Sequence, residues 1–387
     1  MIERDLKPGW KVWRFDQMAT NVNVRIDNPS ESGMEHYIGL EHLDADSLKI
    51  RRWGTPDDVE ATKLMFKKGD IIFGRRRAYQ RKLGVAEFDG ICSAHAMVLR
   101  AKPDVVLPEF LPFFMQSDLF MKRAVEISVG SLSPTINWKT MALQEFSLPP
   151  IGAQQQLLKA LNAFESAIVE QETLLAATNV VIQSFLADWW EKKSDALCPL
   201  GELSVVSGAY GINAPAKTFE PGKPRYIRIT DIDSEGRLLS SDAVGVDSQD
   251  YDSYLLEDDD LLIARTGNTV GKSFLYSRDL GPAVYAGYLV KFRLNKSKAL
   301  PKYIFWMTRS PQYRDWIKSS VRVGAQPNIN AKEYSSLKVP APGPAEQKRF
   351  IEQLDYLEVA RESCVSRIEN LRGVKANFVQ GEVINVI

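Results

Sequence analysis

Two short loops carry the densest chemistry in this chain. One is Arg265-Thr266-Gly267-Asn268-Thr269-Val270-Gly271-Lys272-Ser273; the other is Arg75-Arg76-Arg77-Ala78-Tyr79-Gln80-Arg81-Lys82-Leu83-Gly84. Arginine can pair bidentately with guanine O6 and N7, asparagine or glutamine does the same with adenine, and lysine neutralises phosphate. The candidate DNA-binding side chains are therefore Arg75, Arg76, Arg77, Tyr79, Gln80, Arg81 and Lys82 in one loop, and Arg265, Asn268, Thr269 and Lys272 in the other. Gln326, in the polar segment Gly324 to Asn330, joins them, and Ser131 and Ser133 hold a similar place in Gly130 to Asn137. A run of charge is more often a solvated face than a binding site. What tips the balance is that both loops sit at the same place in a repeat.

The glycine-bearing loop also resembles the phosphate-cradling G-x-x-x-x-G-K-[ST], but Gly267 and Gly271 enclose one residue too few for the backbone N–H groups to close around phosphate. A hairpin following a strand is the better reading of the glycines. Other catalytic signatures are missing. The sequence has no [ND]-P-P-[FYW] tetrapeptide for amino methylation, and neither Pro56-Asp57 nor Pro103-Asp104 leads to the [DE]-x-Lys of a metal-dependent nuclease. His36, His42 and His95 lack metal-ligand spacing, and Cys92, Cys198 and Cys364 are too scattered for a disulfide framework or a zinc cluster, as suits a reducing compartment. No metal site is expected.

The elements that must position these loops occur twice. At a separation of about 190 residues, Tyr37-Ile38, Lys68-Gly69-Asp70-Ile71-Ile72-Phe73, Gly130 to Asn137, Leu148-Pro149 and Ala153-Gln154-Gln155-Gln156 are answered by Tyr226-Ile227, Asp258-Asp259-Asp260-Leu261-Leu262-Ile263, Gly324 to Asn330, Val339-Pro340 and Ala345-Glu346-Gln347-Lys348. The apolar runs predict buried strands, joined by Ala96-Met97-Val98-Leu99 and Tyr288 to Phe292, and helices follow over 109–125 and 302–321. Ile-Asn at 136–137 and 329–330 marks a fixed turn. Behind each proline cluster lies a long amphipathic stretch. Leu157, Leu161, Phe164, Ile168, Leu175, Ile182, Phe185 and Trp189 fall on alternating steps of three and four, broken by Gln171 and Thr178. Phe350, Leu354, Leu357, Cys364, Ile368, Leu371 and Phe378 repeat the pattern, broken by Arg361 and Lys375. Each is a narrow coiled-coil stripe, and each is the other's obvious partner.

The 387 residues are 44% hydrophobic and 25% charged, an ordinary globular composition for two or three domains. Forty-nine basic and 49 acidic residues cancel, which counts against a free-standing nucleic-acid binder unless basic residues gather on one face. The start lacks a signal-peptide core and no apolar run is long enough to span a bilayer, so a cytoplasmic location with no membrane is expected.

Two variable domains, each followed by a proline cluster and a glutamine-bearing start to a long helix, resemble the specificity subunit of a Type I restriction–modification enzyme. The resemblance covers nearly the whole chain and is carried by the Arg265 to Lys272 loop, the Gly324 to Asn330 segment and the helix starts Ala153 to Leu158 and Ala345 to Phe350. The first domain departs from it in lacking the glycine-framed loop. The implied fold is α+β, with two globular target-recognition domains related by pseudo-two-fold symmetry and separated by two long antiparallel coiled-coil helices. The boundaries are 1–152 for the first recognition domain, 153–193 for the first spacer helix, 194–344 for the second domain and 345–387 for the second helix. About 35 helical residues at ~1.5 Å make a strut of roughly 50 Å, about one and a half turns of B-DNA. The resemblance implies a non-catalytic reader of a bipartite sequence in double-stranded DNA that scaffolds two modification (methyltransferase) subunits and restriction subunits. It implies no cofactor in this chain, with S-adenosylmethionine, ATP and magnesium on the partners. The alternatives are a protein-interaction adaptor whose helices only dimerise it, and a P-loop-like nucleotide hydrolase using Gly267 to Ser273.

Overall fold

A computed structural model describes residues 6–239, 243–248, 250–321 and 327–383. Two compact units divide the chain: Met1–Glu172 with Ser366–Ile387, and Thr173–Val365. Each holds one globular domain together with one end of each of the two long helices, Ile151–Lys192 and Pro344–Phe378.

In the first unit the apolar run Ile71–Gly74 is the fully buried strand expected of it, lying between Ala96–Ala101 and Leu83–Val85, with Ala19–Val22 beyond. The second unit builds the same sheet from Leu261–Ala264, Leu289–Leu294, Ser273–Leu275 and Ser204–Tyr210. The register matches as well: Gly74 pairs with Ala96, and Ala264 with Leu289. A two-stranded ribbon also recurs, Lys11–Arg14 with Glu145–Leu148 and Leu197–Pro199 with Lys338–Pro340.

The third sheet is where the copies diverge. Both contain a parallel pair, Tyr37–Ile38 with Gly90–Ser93 and Arg225–Ile227 with Ala283–Tyr285. In the first unit Lys63–Phe66 extends the sheet on the Gly90–Ser93 side through four residue pairs, a ladder reduced to the single bridge Leu255–Val284 in the second. The second unit instead extends the other side with Val244–Val246, where the first, among the described residues, has the single bridge Tyr37–Gly54.

Buried polar anchors repeat almost atom for atom. Asp70 and Asp260, 1% and 0% exposed, each cap the turn before their strand and receive a bidentate arginine, Arg100 at 2.7 and 2.8 Å and Arg293 at 2.7 and 2.9 Å. Gln154 and Gln347, both fully buried, fix the starts of the long helices. Gln154 accepts from Leu107 N–H at 2.9 Å and donates to the carbonyls of Val105 and Pro149; Gln347 accepts from Leu300 N–H at 2.7 Å and donates to those of Lys298 and Pro342. The glutamine of the helix-start motif is thus a lock between helix and domain. The recurring Ile-Asn is structural too: Ile136 and Ile329 are buried, and Asn137 and Asn330 cap the helices Trp138–Ala142 and Ala331–Ser336.

Within the first unit the helix ends run antiparallel, since Glu165 meets Lys375 while Glu172 meets Arg372 at 2.8 Å, and Phe164 packs on Phe378. Within the second, Phe185 and Trp189 pack on Phe350 and Lys193 pairs with Glu346 at 2.8 Å. Leu158, Leu161 and Val379 enter the core of the first domain; Ile182, Leu186, Phe350 and Leu354 enter that of the second. The two charged breaks in the apolar stripe are buried and paired. Lys375 donates to Glu165 and to Gln116 of the first domain. Arg361 bonds Glu358 and, at 3.1 Å, Glu235 of the second domain, which also holds Arg309. A buried cation left unpaired would cost several kcal/mol, so these positions fix helix register by requiring their partners. No described helix is long and apolar enough to cross a membrane.

Candidate nucleic-acid interface

The two loops share one backbone. Each leaves its central strand, makes a 3₁₀ turn (Ala78–Gln80 or Gly267–Thr269) and returns through a strand. Gly74 N–H bonds the Lys82 carbonyl at 2.9 Å and Ala264 N–H that of Lys272 at 2.8 Å, closing the loop base. Segment 130–136 or 327–329 lies beneath: Ile136 and Ile329 N–H bond the carbonyls of Arg75 and Arg265, both at 2.9 Å, while Arg77 and Gly267 N–H bond those of Pro134 and Pro327 at 2.7 and 2.9 Å. The two glycines of the second loop stand at φ 66° and 87°, in left-handed conformation. Their counterparts are Arg77 and Arg81, at φ 57° and 53°. The first domain lacks the glycines, as its sequence says, yet keeps the loop they frame. A side chain in this conformation costs roughly 1–2 kcal/mol, and non-glycine residues are held so only where surrounding contacts over-determine the backbone.

Those contacts differ between the copies. In the second unit two buried tyrosines donate from below, Tyr313 to the Gly271 carbonyl at 2.9 Å and Tyr334 to the Ala264 carbonyl at 2.8 Å. Burial holds both phenols well above the ordinary tyrosine range, so they remain donors. In the first unit Arg81 is the brace, bonding Asp46, Asp118 at 3.0 Å and the Gln116 carbonyl at 2.6 Å. Lys82 and Lys272 are tied down as well, donating to the carbonyls of Leu40 at 2.7 Å and Ile232 at 3.2 Å. Arg81, Lys82 and Lys272 therefore hold loop shape in this structure.

The remaining predicted residues face outward to varying degrees. Tyr79 and Asn268 are exposed and Gln80 is half-buried. Arg75 bonds the Ala94 carbonyl at 3.0 Å. Arg76 and Arg77 converge on the Ser133 hydroxyl at 3.2 and 3.1 Å, and Arg76 also meets His95 Nε2 at 3.3 Å. Arg265 bonds Asn328 at 3.3 Å and its guanidinium lies 4.7 Å from the Tyr210 ring, an arrangement that fixes the plane of the guanidinium. Thr269 turns its hydroxyl back to the Thr266 carbonyl at 3.0 Å. Gln326 lies outside the described residues. His95, Tyr210, Tyr288 and Asn328 join the two sites without having been named among the DNA-binding candidates in the sequence. The signal for two of them was available: His95 and Tyr288 each stand one residue before an equivalent strand. Partial burial, then the charges of Arg76, Arg75 and Lys63, push the His95 pKa down, so that its neutral ring accepts from Arg76.

Comparison with known proteins gives the family. The model of the Type I restriction modification DNA specificity domain matches residues 30–176 and again 199–364. The chain belongs to that family, and its two matched regions are DNA specificity domains. It is 28% identical to the Type I restriction enzyme EcoDI specificity subunit of Escherichia coli over 51% of this chain and 45% of that protein, so this match spans less than half of the relative's length. It is 19% identical to the StySPI specificity subunit of Salmonella potsdam over 98% of this chain and 90% of that protein. Among solved structures, a chain from work on complex assembly and conformational transition of the type I R-M system has a TM-score of 0.59 at 18% identity, covering 99% of this chain and all of that one. The Type-I restriction-modification S subunit from M. genitalium has a TM-score of 0.57 at 13% identity, covering 100% and 99%. Both are likenesses of fold.

Proposed function

We propose that this chain is the non-catalytic subunit that reads a bipartite sequence in double-stranded DNA, one half through each domain, and holds two modification subunits and restriction subunits around it. The observation that carries this reading is one loop backbone built twice with different outward side chains. Geometry is kept and chemistry is changed, as two half-sites of different sequence require. Phosphate contacts would position the duplex, and Arg76, Arg77, Tyr79, Arg265 and Asn268 would meet base edges. S-adenosylmethionine would act on the modification subunits, with ATP and magnesium on the restriction subunits. The glycine pair Gly267 and Gly271 does not favour nucleotide binding, because the same turn forms from Arg77 and Arg81 and Lys272 is spent on a carbonyl.

The test is methylation or binding-site selection by the full chain with its modification subunits. Arg265→Ala should cost one half-site about 10- to 100-fold in discrimination and leave the other intact. Inserting four residues in each long helix should add about 6 Å, near two base pairs, to the unread spacer without altering the bases read. An unchanged spacer, or loss of both half-sites together in Arg265→Ala, would refute the reading.

A further inference from the structure

We propose that the ring at the tip of the turn joining two sheets, His95 in one domain and Tyr288 in the other, is a second base-reading position beside each loop. The inference rests on the DNA-reading function above and adds residues that the loops do not contain. The positions are equivalent, each immediately before the strand that pairs with the loop's own strand, Ala96 against Gly74 and Leu289 against Ala264. Each tip is bonded to the first arginine of its loop: Arg75 donates to Ala94 next to His95, and Arg265 N–H donates to the Tyr288 carbonyl at 2.9 Å. Tip and loop thus lie at the same end of two paired strands, and a duplex seated on the loop meets the ring.

Both rings are exposed, Tyr288 by 60%. A large aromatic directed to solvent contributes little to its own fold. Such a ring offers a flat face for stacking and a polar edge for a base. The edges differ between the copies. His95 keeps one ring nitrogen on Arg76 and has the other for a base, whereas Tyr288 carries a hydroxyl that both donates and accepts. The position changes chemistry between copies while its backbone setting stays the same, the behaviour already seen in the loops.

The experiment is selection from duplexes randomised across the target, using the full chain with its modification subunits, for wild type, His95→Ala, Tyr288→Ala and Tyr288→Phe. Each alanine variant should relax preference at one or two base pairs of its own half-site by roughly tenfold or more, with the other half-site unchanged; Tyr288→Phe separates the hydroxyl from the ring. Thermal melting establishes that each variant folds, as expected for exposed positions. Unchanged preferences in both alanine variants, or an equal loss at every position, would overturn the proposal while leaving DNA reading intact. A wild-type chain that selects no sequence would overturn DNA reading itself.

Discussion

Replacing Arg77 with glycine should be better tolerated than replacing it with alanine, the reverse of the usual order for an ordered backbone. Arg77 sits at φ 57°, in the place of Gly267 at φ 66°. Relieving the left-handed conformation is worth roughly 1–2 kcal/mol, while the looser unfolded chain of a glycine variant takes back about 0.5–1 kcal/mol. Both variants lose the same exposed bond to Ser133, so it cancels from their difference. Arg77→Gly should therefore exceed Arg77→Ala in stability by about 0.5–1 kcal/mol, a shift of a few degrees in melting temperature for a unit of this size. Gly267→Ala supplies the mirror test. A Cβ there meets nothing within 4 Å, so its cost, about 1 kcal/mol, would be conformational and not steric. Calorimetry on the four chains decides. Equal stability of Arg77→Gly and Arg77→Ala, or a harmless Gly267→Ala, would refute the claim that one loop backbone is imposed on both sequences.

Tyr313→Phe removes a buried donor from the Gly271 carbonyl and should cost about 1–2 kcal/mol, with faster amide exchange across residues 267–272 and not across 77–82. Gln347→Ala deletes three buried hydrogen bonds and strands the Leu300 N–H, so a loss of about 3 kcal/mol or more is expected by denaturant titration; a loss under 1 kcal/mol would deny its role as the helix-start lock. His95 should titrate below the ordinary histidine value in an NMR pH series. Because its folded pKa is the lower one, the unfolded chain takes up the proton first. Its contribution is thus fully present above the unfolded value near 6.5 and is lost as pH falls through the folded pKa. A titration at or above the ordinary value would contradict a neutral ring accepting from Arg76.

Much of this architecture is legible in residue order because its causes are local. Ile71-Ile72-Phe73 and Leu261-Leu262-Ile263 declare buried strands, and the three-and-four spacing from Leu157 declares a helix. What escapes the sequence depends on partners far away in it. Arg361 and Lys375 look like faults in an apolar stripe until Glu235 and Gln116 are seen to meet them. Arg81, Lys82 and Lys272 look like available cations until carboxylates and carbonyls claim them. The loops' common place in the repeat is legible, but their common conformation is hidden, because left-handed residues are normally recognised as glycine and in the first copy tertiary contacts override that preference.

The buried cation that answers the helix glutamate finds a different domain partner in each copy. In the first it is Lys375, from a long helix, beside neutral Gln116 and Glu165. In the second it is Arg361, on the same helix as Glu358 and shared with Glu235 of the domain; the place of Gln116 is taken by Arg309, which bonds the same Glu235 and which burial makes less basic, and the helix position matching Lys375 is the apolar Ile182. Exchange of reading modules between such chains would consequently be constrained. A graft of the second domain onto the first seat would set Arg309 against Lys375, and the reciprocal graft would take Glu235 away from the buried Arg361. New specificities can be shuffled into this scaffold only if the seam residue travels with the module.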